Sequence, residues 1–240
     1  MRILITGAAG FIGFSLAERL LGLKKTKVYG IDNFDSYYSV KLKKKRISIL
    51  KKYKNFFFEK IDITDKHKLK KFLRKKNFNY IFHFAAQTGV RYSFKNPIKY
   101  VNTNINGFIN LIENLKYKPN CFFYASSSSV YGDLKKFPAK ENFTTFPLNI
   151  YGMSKVINET ISQHISKVKK INFIGLRFYT VFGPWGRPDM FLLKIFNSIY
   201  NKKTFELNNY GNHERDFTYI EDVIDILILI MKKKFNKLHD

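Results

Sequence analysis

Cysteine, acidic residues and long apolar runs are all scarce in this chain of 240 residues. Cys121 is the only cysteine, which excludes an internal disulfide and a cysteine-based metal cluster, and no metal site is predicted. No uninterrupted apolar run could span a bilayer, since the stretch 224–231 has only the length of a buried helix face. The chain begins with a strand pattern at Arg2, and no signal peptide is predicted. A reducing, cytoplasmic location without membrane attachment is therefore expected.

The few acidic residues leave a strong positive charge: 18 acidic residues stand against 43 basic ones, and the net charge is +25. A phosphate-reading surface usually relies on the bidentate guanidinium of arginine, but arginine supplies only 8 of the basic residues and lysine 35. The lysines are spread over most of the predicted exposed helix faces. Binding to nucleic acid is therefore the less favoured interpretation, although the charge can attract an anionic substrate.

Strand-like apolar runs alternate with helical patterns along the first 177 residues. Strand patterns cover 2–6, 27–31, 56–60, 80–84, 121–125 and 172–177, and helical patterns cover 12–23, 41–52, 66–76, 98–115 and 150–168. This alternation predicts an α/β fold, a Rossmann-type doubly wound parallel sheet with helices on both faces. Ligands of such sheets bind beyond the carboxyl ends of the strands.

The pattern loosens after Phe178. A loop rich in glycine and proline at 183–188 precedes a predicted helix at 190–200, short strands at 204–207 and 215–218, and a last helix from Ile220. The chain is thus divided into a nucleotide-binding domain, residues 1–177, and a small, incomplete substrate-binding lobe, residues 178–240.

Three glycines, Gly7, Gly10 and Gly13, follow the first predicted strand and open the first predicted helix. Such glycines permit a tight turn and let the backbone approach a pyrophosphate at the helix amino terminus, although a purely structural turn is the alternative. Asp32 ends the second strand, where an acid accepts hydrogen bonds from the adenosine ribose and repels a 2′-phosphate. The glycines and Asp32 together predict NAD, and not NADP, as the cofactor.

Polar or small residues also end the next three strands. Asp62 can contact the adenine edge or, equally, cap the following helix. Ala85 and Ala86 let a cofactor lie close to the backbone, whereas His83 is interpreted as a structural histidine. Four serines at 126–129 follow the fifth strand, and one of them can hydrogen-bond a sugar hydroxyl.

Tyr151 and Lys155 lie one helical turn apart and project from the same face. A free tyrosine is a poor base at neutral pH, and a nearby fixed cation stabilises its phenolate. The spacing alone is often that of surface neighbours. Combined with the glycine turn and the serine run, it predicts a hydride-transfer site.

Together these residues resemble the extended short-chain dehydrogenase/reductase family and, in its nucleotide-sugar branch, the UDP-glucuronate 4-epimerases. The long loop around Trp185 is the most specific part of the resemblance. The segments that carry it are 7–13, 32–38 with Leu42 and Arg46, 86–93, 126–132, 151–155, 175–190 and 215–219.

The resemblance implies a reaction and a set of site residues. The reaction is conversion of UDP-glucuronate to UDP-galacturonate through a 4-keto sugar, with NAD kept bound. Tyr151 would be the base, Lys155 would lower its pKa and hold the nicotinamide ribose, and Ser127 would share the 4-hydroxyl network. Cofactor contacts are implied for Gly7, Gly10, Phe11, Ile12, Gly13, Asp32, Asn33, Asp62, Ile63, Phe84, Ala85, Ala86, Gln87, Asn104, Tyr151, Lys155 and Phe178, and substrate contacts for Arg91, Ser127, Ser128, Ser129, Thr180, Arg187 and Arg215.

Some implied roles have alternatives. Asn104 could equally cap or pack within its helix, and Arg91 could form a structural ion pair. Related dehydratases carry acids at the positions of Ser128 and Ser129, related decarboxylases carry one at Ser129, and galactose-type epimerases have asparagine at Thr180, so the residues here favour a uronate. A UDP-glucose/galactose 4-epimerase and a non-catalytic NAD-binding remnant remain the alternatives.

The resemblance also bears on completeness and assembly. Family members continue past the segment that matches 215–231, so residues 1–240 are expected to bind NAD with weak or absent turnover. The family commonly pairs through two helices of each subunit, which predicts a homodimer through helices 98–115 and 150–168.

Overall fold

The central sheet has six parallel strands in the computed structural model, which describes residues 1–212 and 214–233. Along the sheet the order is β3-β2-β1-β4-β5-β6, so the direction of winding reverses between β1 and β4. This order is that of the doubly wound dinucleotide-binding fold, and ligands of such sheets bind at the reversal point. The bounds are β1 (Arg2–Thr6), β2 (Lys27–Asp32), β3 (Phe56–Lys60), β4 (Tyr80–His83), β5 (Cys121–Ser127) and β6 (Phe173–Phe178).

Helices cover both faces of this sheet, as the alternating pattern predicts. The side chains of β1 show why: Ile3 and Ile5 point into one apolar cluster and Leu4 into the other, because successive strand residues face opposite sides. The helices are α1 (Phe11–Leu21), α2 (Val40–Leu50), α3 (Lys66–Leu73), α4 (Val90–Lys95), α5 (Pro97–Tyr100), α6 (Gly107–Glu113) and α7 (Ile150–Lys169).

Two helical details differ from the sequence-based expectations. The single helix predicted over 98–115 is three segments, because a π-helical stretch, Val101–Asn106, separates α5 from α6. The short helix α4 was not expected, and it begins after Gly89, whose φ of +97° suits glycine. Other helices begin at polar capping residues. At the start of α7, the Asn149 side chain accepts a hydrogen bond from the Gly152 N–H.

The residues after Phe178 build a smaller unit beside the sheet. Strands β7 (Thr180–Phe182) and β8 (Phe217–Tyr219) pair in parallel, and helices α8 (Phe191–Tyr200) and α9 (Ile220–Lys232) accompany them. The strand predicted at 204–207 is wrong, because these residues have no regular structure and no neighbouring strand to pair with. The strand predicted at 215–218 lies slightly later, at β8.

Apolar packing joins this smaller unit to the main one. Helix α9 buries Ile224, Leu227 and Met231 in the same cluster as Leu16 and Leu20 of α1. In the part of the chain that the structure describes, no helix has the length and apolar character needed to cross a membrane.

Candidate functional site

The glycine turn lies at the reversal point of the sheet, directly after β1. Gly7 has a φ of +72°, and a Cβ on it would lie 2.6 Å from the Ala85 nitrogen. A Cβ on Gly13 would lie 2.3 Å from the Gly7 oxygen, so both positions require glycine for the close approach of strand and helix. Gly10 provides no side-chain cap to α1, whose first N–H groups therefore stay available for an anion. The turn is structural and also has the form of a phosphate cradle.

Asp32 ends β2 beside this turn with its carboxylate fixed by the backbone. It accepts hydrogen bonds from the Ala9 N–H at 3.1 Å and the Phe34 N–H at 2.8 Å, one on each oxygen. Burial raises the pKa of Asp32, against the lowering effect of the N–H groups and of the Lys43 and Arg46 charges. Each oxygen keeps a lone pair, which is the acceptor set that two ribose hydroxyls need.

Asn33 and Asp62 form the next pair along the sheet edge. The Asn33 amide donates to Asp62 Oδ2 at 2.7 Å, and Asp62 Oδ1 accepts from the Thr64 N–H and hydroxyl. Burial raises the pKa of Asp62, but these hydrogen bonds outweigh it and hold the pKa below its ordinary value. Asp65, and not Asp62, caps α3, so the helix-cap alternative for Asp62 is wrong. Ile63 is buried against Gly107.

His83 is a structural residue, as the sequence predicts. Its Nδ1 lies 2.8 Å from the Thr6 hydroxyl, which also accepts the Ala85 N–H at 3.1 Å. Burial, assisted by the charge of Lys155, lowers the pKa of His83 to about 3, so the ring is neutral at physiological pH. This arrangement fixes the chain at Phe84 and Ala85, and the Phe84 ring packs edge-on against Phe178 at 6.0 Å.

Asn104 links the end of β4 to the start of α7. Its Oδ1 accepts the Gln87 N–H at 2.7 Å, and its amide donates to the Gln87 carbonyl at 3.1 Å and to Ser154 Oγ at 2.9 Å. Ser154 Oγ in turn donates to the Tyr151 carbonyl at 2.7 Å. Asn104 is therefore more than a helix-packing residue, because it fixes the Gln87 loop against the turn that carries Tyr151.

Tyr151, Lys155 and Ser127 come together where β5 ends and α7 begins. The Ser127 hydroxyl lies near enough to lower the pKa of the Tyr151 phenol, and the Lys155 Nζ lies 5.7 Å from the Tyr151 ring centroid. The Tyr100 ring meets that of Tyr151 edge-on at 6.2 Å and limits its movement. The structure thus brings together the three residues predicted to carry the chemistry.

The pKa values of this group are set mainly by burial. Burial raises the pKa of Tyr151, against the lowering effect of the Ser127 hydrogen bond and the Arg187 charge. Burial also lowers the pKa of Lys155 to about 8. The pKa of Tyr151 is therefore raised, and not lowered as expected from Lys155, because loss of hydration outweighs the effects of Ser127 and Arg187.

Two of the four serines have structural partners. Ser126 donates to Glu159 at 2.5 Å, and Glu159 forms a two-pronged ion pair with Arg177, so Ser126 ties β5 to α7. Ser127 Oγ accepts the Ser129 N–H at 3.2 Å and so shapes the turn after β5. Ser128 and Ser129 stand in that turn, a short 3₁₀ segment, and both are partly exposed.

Arg187 is the arginine that the structure brings closest to the chemistry. Its guanidinium forms two hydrogen bonds to Asp189, at 3.1 and 2.5 Å, and lies 5.8 Å from the ring centroids of both Tyr37 and Tyr38. Its charge acts on Tyr151. Thr180 and Arg187 line one cavity of about 230 Å³ together with Val181, Phe182, Gly183, Gly186, Met190, Leu192, Leu193 and Phe196.

The other two arginines predicted to bind substrate do not contact Tyr151, Lys155 or Ser127 among the described residues. Arg91 on α4 and Arg215 before β8 are both exposed. In the described part of the chain neither forms an ion pair, so the structural alternative for Arg91 is not met there. Their predicted contacts with substrate remain predictions.

Sequence reasoning missed three groups around the site. Arg46 is fully buried and binds three backbone carbonyls, Tyr37 and Tyr38 stack on Arg187, and Glu159 holds Arg177. Arg46 and the tyrosines lie in the segments that carry the family resemblance, and this position could have indicated that they belong to the site. Glu159 lies two turns after Tyr151 on α7, and this spacing alone gave no signal.

Comparison with known proteins adds to this geometry. A model of the NAD dependent epimerase/dehydratase family matches residues 3–240. Uncharacterized protein MJ1055 from Methanocaldococcus jannaschii is 44% identical over 237 residues, which are 98% of this chain and 73% of that protein. The chain belongs to the NAD dependent epimerase/dehydratase family. The predictions of an NAD-dependent epimerase, of NAD as cofactor and of a doubly wound α/β fold are confirmed.

Other members resemble the chain with varying coverage. UDP-glucuronate 4-epimerase 4 from Arabidopsis thaliana is 41% identical over 228 residues, 92% of this chain and 52% of that protein. The crystal structure of UDP-glucuronic acid 4-epimerase from Bacillus cereus, in complex with UDP-glucuronic acid and NAD, superposes with a TM-score of 0.91 at 35% identity, covering 98% of this chain and 74% of that one. UDP-glucose 4-epimerase from Thermotoga maritima gives a TM-score of 0.87 at 28% identity, with 97% and 74% covered.

The residues of the site suit this family's cofactor. The positions of Gly7 and Gly13 admit no Cβ, which leaves the backbone close to the place of a pyrophosphate. Lys155 is 2% exposed. A buried cation of this kind is poised to bind a polar ligand such as the nicotinamide ribose.

Proposed function

We propose that this chain catalyses the NAD-dependent 4-epimerisation of a UDP-sugar, and that the sugar is UDP-glucuronate, converted to UDP-galacturonate. The observation that carries the proposal is the grouping of Tyr151 and Ser127 beside the buried Lys155, at the carboxyl end of β5. Several relatives named as UDP-glucuronate 4-epimerases support the choice of sugar.

Tyr151 is assigned the role of base toward the sugar 4-hydroxyl. Ser127 lies close to the phenol, so it can hold the 4-hydroxyl in line and share its proton. Bound NAD supplies a hydride acceptor for C4 and returns the hydride to the other face of the 4-keto sugar. Lys155 holds the nicotinamide ribose and, when charged, stabilises the Tyr151 phenolate.

Four residues are proposed to favour a uronate over a neutral sugar. A 4-keto uronate is a β-keto acid, so its carboxylate must be held against loss of carbon dioxide. Ser128 and Ser129 offer hydroxyl donors in the turn after β5, and Thr180 offers another at the start of β7. Arg187 supplies the positive charge near Tyr151. No acid stands among the serines to promote elimination or decarboxylation.

Arg91 and Arg215 are proposed to bind the sugar or the diphosphate from the outside of the site. Both side chains are exposed, so each can move toward an anionic ligand without breaking an internal contact among the described residues. The division of the chain at residues 177 and 178 into a cofactor domain and a substrate-binding lobe belongs to the same proposal. The substrate would lie between the ends of β4 and β5 and the segment that carries Thr180 and Arg187.

A homodimer through helices 98–115 and 150–168 is proposed as the assembly. Apolar side chains on these helices are exposed in the single chain, including Ile98 at 66% and Met153 at 45%. Exposed apolar surface of this kind is typical of helices that pack against a partner.

The test is to incubate the NAD-loaded protein separately with UDP-glucuronate and UDP-glucose and to resolve the epimers. We expect UDP-galacturonate from UDP-glucuronate and no conversion of UDP-glucose. An end-point assay over hours is appropriate, because it detects slow turnover as well as fast turnover. Conversion of UDP-glucose instead would establish the galactose-type alternative.

Two outcomes would point outside this enzyme class. Retained NAD with no conversion of either sugar, both by this chain and by a chain extended to the length of its relatives, would indicate a non-catalytic NAD-binding module. Steeply salt-dependent binding to DNA or RNA would support the nucleic-acid interpretation, and no binding at low salt would dispose of it.

A further inference from the structure

Arg46 is the largest fully buried side chain of the molecule's described part, and the proposed chemistry does not use it. It extends from α2 toward the glycine turn. Its Nη1 donates to the Ala9 carbonyl at 2.8 Å and to the Tyr38 hydroxyl at 2.9 Å. Its Nη2 donates to the Trp185 carbonyl and to the Gly186 carbonyl, the latter at 3.3 Å. One guanidinium therefore joins the cofactor turn to a loop more than a hundred residues away.

The charge of Arg46 has an unusual setting for a buried cation. Within the described residues no carboxylate lies at ion-pair distance, and its Nε has no hydrogen-bonding partner. Burying a cation among neutral carbonyls is costly unless its geometry is useful elsewhere. The carbonyls it binds belong to the two segments that must meet around a bound dinucleotide and its substrate.

The loop that Arg46 holds is strained and carries a site residue. Trp185 has a φ of +61°, which is unfavourable for any side chain with a Cβ. Its ring packs edge-on against Phe14 at 5.6 Å, next to the first turn of α1. Arg187 follows two residues later, and its guanidinium lies 5.8 Å from the Tyr38 ring whose hydroxyl Arg46 binds.

We infer that Arg46 is a positioning residue that couples NAD binding at the glycine turn to the placement of the Trp185 loop, and hence of Arg187. The coupling runs through Ala9, whose N–H binds Asp32 and whose carbonyl binds Arg46. A ribose bound to Asp32 and a pyrophosphate bound at the turn both fix the Ala9 peptide. That fixed peptide holds the guanidinium, and the guanidinium holds the loop.

Trp185 is the only tryptophan of the chain, so its fluorescence reports this contact directly. The test compares the wild type with Arg46→Met, Arg46→Lys and the control Arg74→Met, which alters an exposed arginine. Acrylamide quenching of Trp185 is measured with and without NAD, after circular dichroism has shown each protein to be folded. NAD affinity is measured by calorimetry on the same samples.

In Arg46→Met we expect red-shifted emission, stronger quenching that NAD no longer reduces, and an NAD affinity about tenfold weaker, the size of one hydrogen bond to a charged group. Arg46→Lys should be intermediate, because an ammonium cannot bind all three carbonyls in the planar arrangement of a guanidinium. Arg74→Met should match the wild type. Wild-type quenching and NAD affinity in a folded Arg46→Met would overturn the inference.

If Arg46→Met fails to fold, Arg46→Lys decides: wild-type values for both readouts in that variant overturn the inference. A third readout rests on the proposed function. Displaced Arg187 no longer lowers the pKa of Tyr151, so the activity profile of Arg46→Lys should shift to higher pH, while a purely structural role would leave its shape unchanged. The fluorescence and NAD measurements stand without any sugar substrate, so their failure is distinct from failure of the epimerase proposal.

Discussion

The sheet up to Phe178 and the unit that follows it use apolar side chains differently. Strand β1 buries Ile3, Leu4 and Ile5 completely between two layers of helices. Helix α8 has no buried residue at all, and its Ile199 is 72% exposed. The first region is therefore held by its own core, whereas the second is held mainly where α9 packs on α1.

This difference separates the two halves of the proposed chemistry. Asp32, Asn104 and Lys155 stand in the first region, each nearly or fully buried and set by strand ends and helix starts. Thr180 and Arg187 stand in the second, where Arg187 depends on a loop that Arg46 holds in place. Outside the loop that Arg46 joins to the cofactor turn, NAD binding should thus be less sensitive than substrate recognition to changes in the second region.

The largest expected effect separates chemistry from cofactor binding within the first region. Replacing Tyr151 with phenylalanine removes the proposed base but leaves the ring against Tyr100, so NAD should stay bound. Loss of a general base costs about 10²–10⁴-fold in rate, equivalent to about 3–5 kcal/mol. Turnover of UDP-glucuronate and NAD content are measured on the same sample.

The matched control for this variant is Tyr131→Phe, which removes a hydroxyl bonded to Arg177 and outside the proposed chemistry. Its turnover should stay close to that of the wild type. Near-normal turnover by Tyr151→Phe would refute the assignment of the base, and loss of NAD from it would show that the two functions are not separable.

The next prediction tests the difference in apolar burial between the two regions. Leu16 of α1 is fully buried, so Leu16→Ala should lower the free energy of unfolding by about 2–5 kcal/mol. Ile199 of α8 is 72% exposed, and Ile199→Ala should change the free energy of unfolding by less than about 0.5 kcal/mol. Urea unfolding of the two variants gives both values. A large cost at Ile199 would mean that a partner surface covers α8.

The contrast between the regions also explains which parts of the fold could be predicted from the sequence. Strands such as β1 are covered on both faces, so their apolar runs are unbroken and bounded by glycine or polar residues. Residues 204–207 instead alternate polar and apolar side chains, but among the described residues no strand pairs with them, and a local pattern contains no information about pairing. The π-helical stretch within 98–115 could not be predicted either, because its periodicity differs little from that of an α-helix.

Site residues were predictable where chemistry requires a residue type at a strand end or at a helix start. Asp32, Ser127 and Tyr151 have such signals, and the structure gathers the latter two. Arg46 and Glu159 act by reaching across the fold, and no sequence spacing reveals which backbone carbonyl or arginine lies opposite. The direction of the Tyr151 pKa shift was missed for the same reason, since burial is a property of the folded chain.

A smaller effect should appear as acid sensitivity of the first region. The pKa of His83 falls from 6.5 to about 3 in the folded chain, so below pH 6.5 the unfolded chain binds a proton that the folded chain does not. Stability is unaffected by this group above pH 6.5 and falls as pH decreases toward 3, at about 1.4 kcal/mol per pH unit. About 2 kcal/mol should be lost between pH 6.5 and 5.

Urea unfolding as a function of pH measures this loss, with His83→Asn and the exposed His164→Asn as a matched pair. His83→Asn keeps a hydrogen-bonding group opposite the Thr6 hydroxyl and should flatten the acid slope. His164→Asn should retain it. An unchanged slope in His83→Asn would assign the acid sensitivity to other groups.

The smallest effect concerns the ion pairs that join the two regions. Arg19 on α1 contacts Glu221 and Asp225 on α9, the latter at 2.7 Å, but 42% of its side chain is exposed. Exposed ion pairs contribute little, so Arg19→Met should cost about 0.5 kcal/mol and less in high salt. Ile224→Ala, which removes apolar packing at the same junction, should cost several times more, about 2–5 kcal/mol. The measurement is the free energy of unfolding of both variants at low and at high salt. If Arg19→Met lowered it more than Ile224→Ala and the loss depended on salt, then charge, and not the buried face of α9, would hold the second region to the first.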